Sequence, residues 1–283
     1  MQAKIETVKT LLEALPFIKE FSNEVVVIKY GGSAQTSPQL KEKFAEDILL
    51  MYLVGIKPVI VHGGGKKITD MLDALNIETK FIDGQRVTTK EVMRIAEMIL
   101  SGEINKEIVS LLNSHSAKAI GISGKDAHFI TAKAKDFSKW GLTGTITNVK
   151  EDVVKRLIED RFIPVIAPIA AGEEMGHAGF NINADLCASY VAKAIGANKI
   201  IFLTDTSGVL NKDKELLSTL TKKQVDELKA DGTINGGMVP KVDACLEAIE
   251  GGVQKAHIID GRLEHSMLLE LFTSDGVGTQ IVE

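Results

Sequence analysis

Six short apolar segments, separated by longer stretches with helical periodicity, constrain the fold of this chain more than any other feature. Each is rich in β-branched residues and bounded by Gly, Pro or polar residues; they are residues 25–28, 58–61, 119–122, 163–166, 200–203 and 257–259. Strands that are apolar on both faces are typical of a parallel sheet covered by helices on both sides. The alternation therefore predicts an α/β protein, an αβα sandwich with a mainly parallel central sheet.

The segments between these strands carry the spacing of helices, with one exception. Helices are predicted for residues 38–54, 66–75, 90–100, 152–160, 184–195, 222–229 and 239–250. Within residues 126–150 polar and apolar residues alternate instead. That alternation predicts an antiparallel excursion from the main sheet, a hairpin placed as a lid.

The first 22 residues form a separate predicted element. Apolar residues recur there at helical spacing, and they are Ile5, Val8, Leu11, Leu12, Leu15, Ile18 and Phe21. This pattern predicts an amphipathic helix with a candidate kink at Pro16. Two interpretations stay open: the helix folds onto its own domain, or it is an arm that packs on another subunit. The rest of the chain is divided into two predicted lobes, residues 23–196 and 197–283.

Composition argues against several classes of protein. The formal net charge of -5 is unlike that of a dedicated nucleic-acid binder, which carries a basic excess. Cys187 and Cys245 are interpreted as reduced core residues, because two distant thiols make neither a disulfide framework nor a metal site. The chain opens without an apolar signal-peptide core, and its longest apolar stretch, residues 48–56, is shorter than the roughly 18 residues of a membrane span. We expect a cytoplasmic protein with no membrane or nucleic-acid partner.

Glycine-rich loops follow the first two predicted strands. Lys29 ends the first strand, and Gly31 and Gly32 come directly after it; residues 63–65, all glycine, follow the second strand and precede a helix. Glycine lets backbone N–H groups approach an anion closely, and a helix N-terminus adds free N–H groups. Both loops are therefore candidate anion-binding cradles. The alternative is a surface lysine beside ordinary tight turns.

Further polar residues stand where they can serve either a ligand or only a turn. Arg86, in a glycine-containing loop, can bind a carboxylate bidentately, although most loop arginines are only solvated. Asn181 and Asp185, at a predicted helix start, can orient a ligand or cap the helix. Lys241 follows a glycine pair at another helix start, where a cation opposes the helix dipole unless an anion lies nearby.

The better-known phosphate-binding motifs are missing from the sequence. It contains no GxxxxGK[ST] loop, no protein-kinase catalytic loop or DFG triplet, and no GxGxxG fingerprint. These motifs mark P-loop enzymes, protein kinases and dinucleotide-binding enzymes respectively. A dehydrogenase is therefore only a minor alternative.

Six motifs in this order resemble those of the amino-acid kinase family, and within it the branch that acts on N-acetyl-L-glutamate. They lie at residues 27–32, 61–65, 84–88, 181–185, 203–210 and 236–241 and span most of the chain. The resemblance implies an αβα sandwich that transfers a phosphoryl group from ATP, with Mg2+ carried on the nucleotide, to the side-chain carboxylate of N-acetyl-L-glutamate in L-arginine biosynthesis. The first lobe would bind acetylglutamate and the second lobe ATP.

The resemblance also implies roles for single residues. Lys29 and Lys241 would stabilise the transferring phosphoryl group, and Asp185 would orient both lysines. The residues implied to bind N-acetyl-L-glutamate are Gly64, Gly65, Arg86 and Asn181. The residues implied to bind the nucleotide are Gly31, Gly32, Asp205, Gly208 and Leu210.

A second resemblance concerns regulation. Family members that are inhibited by L-arginine carry an N-terminal helix that links dimers into a hexamer, and residues 263–273 and 276–279 are similar to their arginine-site signature. The implied arginine-binding residues are Lys212, His265, Glu270, Gly276 and Gly278. Two alternatives stay open. One is another kinase of the family, acting on carbamate, glutamate, aspartate or UMP; the other is a non-catalytic arginine sensor on a kinase fold.

Overall fold

The computed structural model describes residues 1–35, 37–174, 176–274 and 276–283. Its α-helices are α1 (Gln2–Phe21), α2 (Pro38–Leu53), α3 (Gly65–Ala74), α4 (Lys90–Glu97), α5 (Asn105–Ser114), α6 (Phe137–Trp140), α7 (Glu151–Glu159), α8 (Ala184–Ile195), α9 (Lys222–Ala230), α10 (Met238–Glu250) and α11 (Ser266–Phe272). Its strands are β1 (Val25–Tyr30), β2 (Lys57–His62), β3 (Phe81–Ile82), β4 (Gln85–Arg86), β5 (Ala119–Ser123), β6 (Ile130–Ala134), β7 (Gly144–Val149), β8 (Ile163–Ala167), β9 (Ile169–Gly172), β10 (Phe180–Asn181), β11 (Lys199–Thr204), β12 (Thr219–Thr221), β13 (Lys255–Asp260) and β14 (Thr279–Val282).

The six predicted strands all belong to one large sheet. Its strand order is β12-β14-β13-β11-β1-β2-β8-β5, and every neighbouring pair is parallel except β13 with β14. Every residue of β8 and β11 is buried, as expected for strands covered on both faces. The predicted α/β architecture with a mainly parallel central sheet is confirmed.

Strand β1 lies where the direction of the strand order reverses. The chain runs outward from β1 through β2 on one side, and β11 and β13 extend the sheet on the other. Lys29 is in register with Val61 of β2 and Phe202 of β11, so the three strands end at the same edge. Ligands of open α/β sheets bind beyond the carboxyl ends of strands at such a point. Because β1 and β11 pair directly, the sheet is continuous across the predicted lobe boundary, which itself stays a prediction.

A second, smaller sheet carries the antiparallel excursion. Its order is β10-β9-β6-β7, and β6 pairs with β7 in antiparallel fashion. The excursion is thus confirmed as an antiparallel pair within a four-stranded sheet. The hairpin that borders the cavity described below is a different one, the short pair β3–β4.

Local signals explain where several helices begin and end. Ser37 caps α2, accepting a hydrogen bond from the Leu40 N–H, and Pro38 fills the first helical position, where its missing N–H is not needed. Asn183 caps α8, and Gly196 ends it in the left-handed conformation. The helix predicted over residues 90–100 is shorter as α4, because the chain continues in a π-helical segment, Met98–Ile104, into α5.

Helix α1 is present over the predicted residues and runs through Pro16. Phe21 at its end is buried, whereas five of its apolar side chains are exposed. They are Ile5, Val8, Leu11, Leu12 and Leu15. Within the described ranges, no helix has the length and apolar character needed to cross a membrane.

Candidate active site

A cavity of about 250 Å³ opens beyond the carboxyl ends of β1 and β2. Its lining comes from the first strand end, the triple glycine, the β3–β4 hairpin and the start of α8, and comprises Lys29, Gly32, Gly63, Gly64, Gly65, Ile68, Phe81, Gly84, Gln85, Arg86, Leu100, Thr143, Pro168, Asn181, Ile182, Asn183, Ala184 and Asp185. Segments far apart in sequence thus meet in one place. Seven of the predicted site residues line this cavity: Lys29, Gly32, Gly64, Gly65, Arg86, Asn181 and Asp185.

Lys29 and Asp185 form an ion pair in the cavity. The Lys29 Nζ lies 2.8 Å from the Asp185 Oδ1, and both side chains are largely buried. Among the described residues this oxygen has no hydrogen-bond donor, so the carboxylate holds the ammonium group by charge. The ammonium group has three N–H donors and can also bind an anion in the cavity.

The glycines of the two loops differ in what surrounds them. A Cβ on Gly31 would lie 2.4 Å from the main-chain oxygen of Leu203, and one on Gly64 would lie 2.3 Å from Cδ1 of Ile104. These two glycines allow close packing against β11 and the π-helical segment. A Cβ on Gly32 or Gly65 would meet no atom within 4 Å. These two leave cavity space open instead.

Arg86 is a buried cation that contacts only neutral oxygens. Its Nη1 donates to Thr79 Oγ1, and its Nη2 donates to Gly65 O and Thr69 Oγ1, each at 2.8 Å. The ring of Phe81 lies 4.6 Å from the guanidinium carbon. Burial lowers the pKa of Arg86, and the charge of Asp73 opposes this without offsetting it. Among the described residues Arg86 forms no ion pair. A buried cation without a carboxylate partner is costly unless a ligand supplies the negative charge.

A network of small polar side chains links Arg86 to Asn181. The Asn181 Nδ2 donates to Thr88 Oγ1 at 3.2 Å, and the Thr88 and Thr143 hydroxyls lie 3.0 Å apart. The Thr143 hydroxyl donates to the main-chain oxygen of Arg86 at 2.6 Å. Thr143 was not predicted from the sequence, and nothing in its surroundings along the chain marks it. Its role arises only when β7 is brought beside the β3–β4 hairpin.

His62 contacts the first residue of the triple glycine, and Asn105 contacts His62. Neither was predicted as a site residue. The His62 Nδ1 lies 3.1 Å from Gly63 O, and the Asn105 Nδ2 lies 3.3 Å from the His62 Nε2 and donates to Val165 O at 2.9 Å. Burial lowers the pKa of His62 to about 4. This imidazole is therefore neutral near pH 7 and serves as a packing and hydrogen-bonding group, not as a cation.

The remaining predicted catalytic and nucleotide residues lie outside the cavity lining. Lys241 lies in the first turn of α10, and its Nζ is 3.5 Å from Gly237 O. Helix α10 packs against α8, which carries Asp185 in its first turn. Gly208 has a φ of 139°, and a Cβ there would lie 2.5 Å from Thr279 Oγ1, so this glycine allows the turn after β11 to pack on β14. Asp205 and Leu210 flank the same turn.

A second cavity, of about 420 Å³, lies between the end of α1 and the C-terminal segment. Glu270, Gly276 and Gly278 line it, as do residues that were not predicted: Phe17, Glu20, Phe21, Lys199, Ser218, Thr219, Lys255, His257, Leu271, Thr273, Ser274 and Gln280. Two predicted residues lie elsewhere. Lys212 pairs with Asp231 at 2.9 Å, and His265 Nδ1 lies 2.5 Å from Asp47 Oδ1.

Charged groups are concentrated and buried in this second cavity. Glu270 Oε1 lies 2.6 Å from His257 Nδ1, and the Val277 N–H donates to Glu270 Oε2 at 2.9 Å. Burial raises the pKa of Glu270, but His257, the Val277 N–H and Lys199 outweigh it, so the pKa is lowered. Burial lowers the pKa of Lys199 to about 8. Among the described residues, His257 Nε2 has no hydrogen-bond partner although it is buried.

Known proteins resemble this chain over nearly its full length. A model of the amino acid kinase family matches residues 24–260. The acetylglutamate kinase of Sulfurimonas denitrificans is 84% identical, with 99% of this chain and 99% of the relative aligned. The acetylglutamate kinase of Nitratiruptor sp. is 68% identical over 100% of this chain and 99% of its own length.

Solved structures share the fold at much lower identity. The N-acetylglutamate synthase of Neisseria gonorrhoeae, complexed with coenzyme A and N-acetyl-glutamate, superimposes with a TM-score of 0.85 at 24% identity, covering 98% of this chain and 63% of that one. Carbamate kinase of Giardia lamblia, bound to AMP-PNP, gives a TM-score of 0.70 at 18% identity, covering 92% of this chain and 99% of that one. At these identities the structural likeness shows a shared architecture.

Proposed function

The chain belongs to the amino acid kinase family, and from this premise we propose that it uses ATP to phosphorylate the side-chain carboxylate of N-acetyl-L-glutamate in L-arginine biosynthesis. The relatives that are 84% and 68% identical are acetylglutamate kinases. The observation that carries the proposal is that two cationic side chains, Arg86 and Lys29, line one small cavity. Arg86 lines it without an ion-pair partner among the described residues, and Lys29 lines it beside the glycine loop.

A substrate with two carboxylates fits this arrangement. The α-carboxylate would bind Arg86, and the side-chain carboxylate would then point towards Lys29 and the strand end. The apolar walls made by Ile68, Leu100 and Ile182 leave room for the acetyl group. A free amino acid would bring an ammonium group close to Arg86, which disfavours its binding.

The reaction needs positive charge and aligned dipoles more than it needs a base. The attacking carboxylate titrates near ~4.3, so it is already ionised at neutral pH. The neutral state of His62 is therefore no obstacle. Lys29 would stabilise the charge on the transferring phosphoryl group, backbone N–H groups of the Gly31–Gly32 loop would bind its oxygens, and Lys241 would approach from the nucleotide side.

Mg2+ would be held mainly by the nucleotide. The described residues include no group of three His, Cys, Asp or Glu side chains placed to bind a metal ion, and Asp185 is already paired with Lys29. Magnesium commonly binds through substrate phosphates with few protein carboxylates. When bound there, it would supply charge neutralisation of the β- and γ-phosphates.

The direct test is to incubate the purified protein with ATP, Mg2+ and N-acetyl-L-glutamate and to trap the acyl phosphate with hydroxylamine. We expect a hydroxamate to form with wild-type protein and to fall by orders of magnitude in Lys29→Ala, with modest change in stability. L-glutamate, L-aspartate, carbamate and UMP serve as competing acceptors. A preference for one of these acceptors would overturn the substrate assignment, and unchanged turnover in Lys29→Ala would overturn the role of that lysine.

We further propose that L-arginine inhibits the enzyme by binding the second cavity. Glu270 would pair with the guanidinium group, and the glycine-rich segment that contains Gly276 and Gly278 would bring main-chain oxygens close. The end of α1 forms one wall through Phe17 and Phe21. The exposed apolar face of α1 supports its packing on another subunit, in a hexamer built as a trimer of dimers. Glu270→Gln should therefore lose arginine inhibition while retaining turnover without arginine.

A further inference from the structure

The β3–β4 hairpin forms the rim of the first cavity but is too small to hold its own position. Each strand has two residues, and isolated two-stranded hairpins are marginally stable at best. Phe81 at its start is 55% exposed. Yet this hairpin carries Arg86, the buried cation that faces the cavity. Its position must therefore come from contacts with another part of the chain.

Beside the hydrogen bonds of Arg86 itself, one short segment supplies three of those contacts. The Trp140 Nε1 donates to Ile82 O at 3.2 Å. The Lys139 Nζ lies 2.9 Å from Asp83 Oδ2 at the tip of the hairpin. Lys135 Nζ donates to Gln85 Oε1 at 3.2 Å. Three contacts thus join residues 135–140 to three successive parts of the hairpin.

Trp140 holds the chain on both sides of Arg86. Its ring, 9% exposed, is contacted by the Nζ atoms of Lys135 and Lys139, which lie 4.6 and 4.1 Å from the ring centre. Its side chain binds Ile82, four residues before Arg86, while its main-chain oxygen accepts a hydrogen bond from the Thr88 N–H at 3.0 Å, two residues after it. Trp140 itself does not line the cavity.

We propose that Trp140 is a positioning residue for the substrate carboxylate: it fixes the β3–β4 hairpin and thereby sets the place of the Arg86 guanidinium. The inference rests on the proposed function only in naming that carboxylate. The alternative role for Trp140 is a plain core residue, whose loss lowers stability and leaves substrate affinity of the folded protein unchanged. The two roles differ in measurable ways.

The main variant is Trp140→Phe, which keeps an aromatic ring beside the two lysines and removes the N–H donor. We expect its KM for N-acetyl-L-glutamate to rise by roughly three- to tenfold, since one net hydrogen bond is lost. Its kcat and its KM for ATP should stay within about twofold. Phe137→Leu is the matched control, because Phe137 lies in the same turn, is 62% exposed and forms none of the three contacts.

A second measurement does not depend on the identity of the substrate. Hydrogen exchange of the amides in residues 80–87, which include the Val87 N–H bonded to Lys80 O at 2.8 Å, should be faster in Trp140→Phe than in wild type and unchanged in Phe137→Leu. Unchanged exchange in Trp140→Phe would overturn the proposal, as would faster exchange with an unchanged KM. If another carboxylate proves to be the substrate, its KM is compared between wild type and variants in the same way. The role of Trp140 is then tested independently of the substrate assignment.

Asp83→Asn provides the same test without touching the buried ring. It weakens the contact with Lys139 on an exposed surface, so we expect about a twofold rise in KM and no change in melting temperature. If Trp140→Phe fails to fold, the attachment of the hairpin to residues 135–140 can still be tested with Asp83→Asn. The absence of any change in both KM and exchange in Asp83→Asn, together with a misfolded Trp140→Phe, would mean that Trp140 acts only in the core.

Discussion

At the scale of single residues, Gly31 and Gly32 are neighbours with different surroundings. A Cβ on Gly31 would meet the main-chain oxygen of Leu203 at 2.4 Å, and that oxygen belongs to the paired strand β11. A backbone atom inside a sheet cannot move aside as a side-chain end can. A Cβ on Gly32 would meet no atom within 4 Å, and Gly32 lines the first cavity.

We therefore predict opposite effects for two alanine variants. Gly31→Ala should lower the free energy of unfolding by about 1–3 kcal/mol, as overpacking in a close-packed region does. Gly32→Ala should leave that free energy within about 0.5 kcal/mol of wild type but reduce turnover, since its methyl group enters space needed for the phosphoryl group. Urea unfolding and the hydroxamate assay measure the two effects. Equal losses of stability in both variants would contradict this.

Site residues that combine a characteristic side chain with the end of a strand or helix could be predicted from the sequence. Residues whose role depends only on packing between distant segments could not. Lys29, Arg86, Asn181 and Asp185 combine a special residue type with a strand or helix end, and the structure brings all four into one cavity. Thr143, like His62 and Asn105, gains its role from contacts with segments far away in the chain. No local pattern records such contacts, because pairing of distant segments is decided by the fold.

At the scale of elements, the sequence predicted all of the large sheet except the two strands at its β12 edge. The six predicted strands are rich in apolar residues and were identified. Strands β12 and β14 at one edge were not, since short edge strands carry weaker patterns. Helix α5 was missed because Ser101 and Gly102 suggest a helix end, whereas the chain passes through them in a π-helical segment. Such segments are rare outside functional sites, and here Leu100 and Ile104 pack against Gly64.

The exposed apolar side chains of α1 lead to a prediction about subunit assembly. Removing residues 1–15 deletes its exposed apolar side chains but retains Phe17 and Phe21, which line the second cavity. We expect the proposed hexamer to dissociate into smaller species by analytical ultracentrifugation and the proposed arginine inhibition to weaken. Turnover without arginine should persist, because no residue of α1 lines the first cavity.

A point variant separates assembly from truncation. Leu11→Asp places a charge on the exposed apolar face, where Leu11 is 66% exposed, and should dissociate the oligomer in the same way. Glu13→Gln changes an exposed charged position on the same helix and serves as the control. Wild-type sedimentation of both Leu11→Asp and the truncated protein would show that α1 does not join subunits.

At the scale of the whole molecule, the two cavities lie at opposite ends of strand β11. Lys199 at its start lines the second cavity, and Leu203 near its end contacts the Gly31 turn beside the first. A contact between α2 and the residue before α11 joins two other distant parts of the chain. Asp47 on α2 is buried against His265, directly before α11, with Oδ1 and Nδ1 2.5 Å apart. Helix α2 follows the glycine loop of the first cavity, and α11 carries Glu270 of the second.

The burial of Asp47 makes the stability of the molecule depend on pH. Burial raises the pKa of Asp47 to about 6, although His265 opposes this. Because the folded carboxyl binds its proton more tightly than the unfolded one, its contribution to stability is present below pH ~4 and is lost as pH rises through about 6. Asp47→Asn is neutral throughout this range. Its free energy of unfolding relative to wild type should therefore rise by about 3 kcal/mol between pH 4 and pH 8.

The neighbouring carboxylate supplies a control of opposite sign. The contact with Lys43 holds the pKa of Glu46 below its usual value, so its contribution is present above the unfolded pKa and is lost as pH falls through the folded one. Relative to wild type, Glu46→Gln should thus become less stable as pH rises from 3 to 6, whereas Asp47→Asn becomes more stable. Chemical denaturation at a series of pH values measures both differences. If the two variants follow the same trend, burial does not raise the pKa of Asp47 in the folded protein.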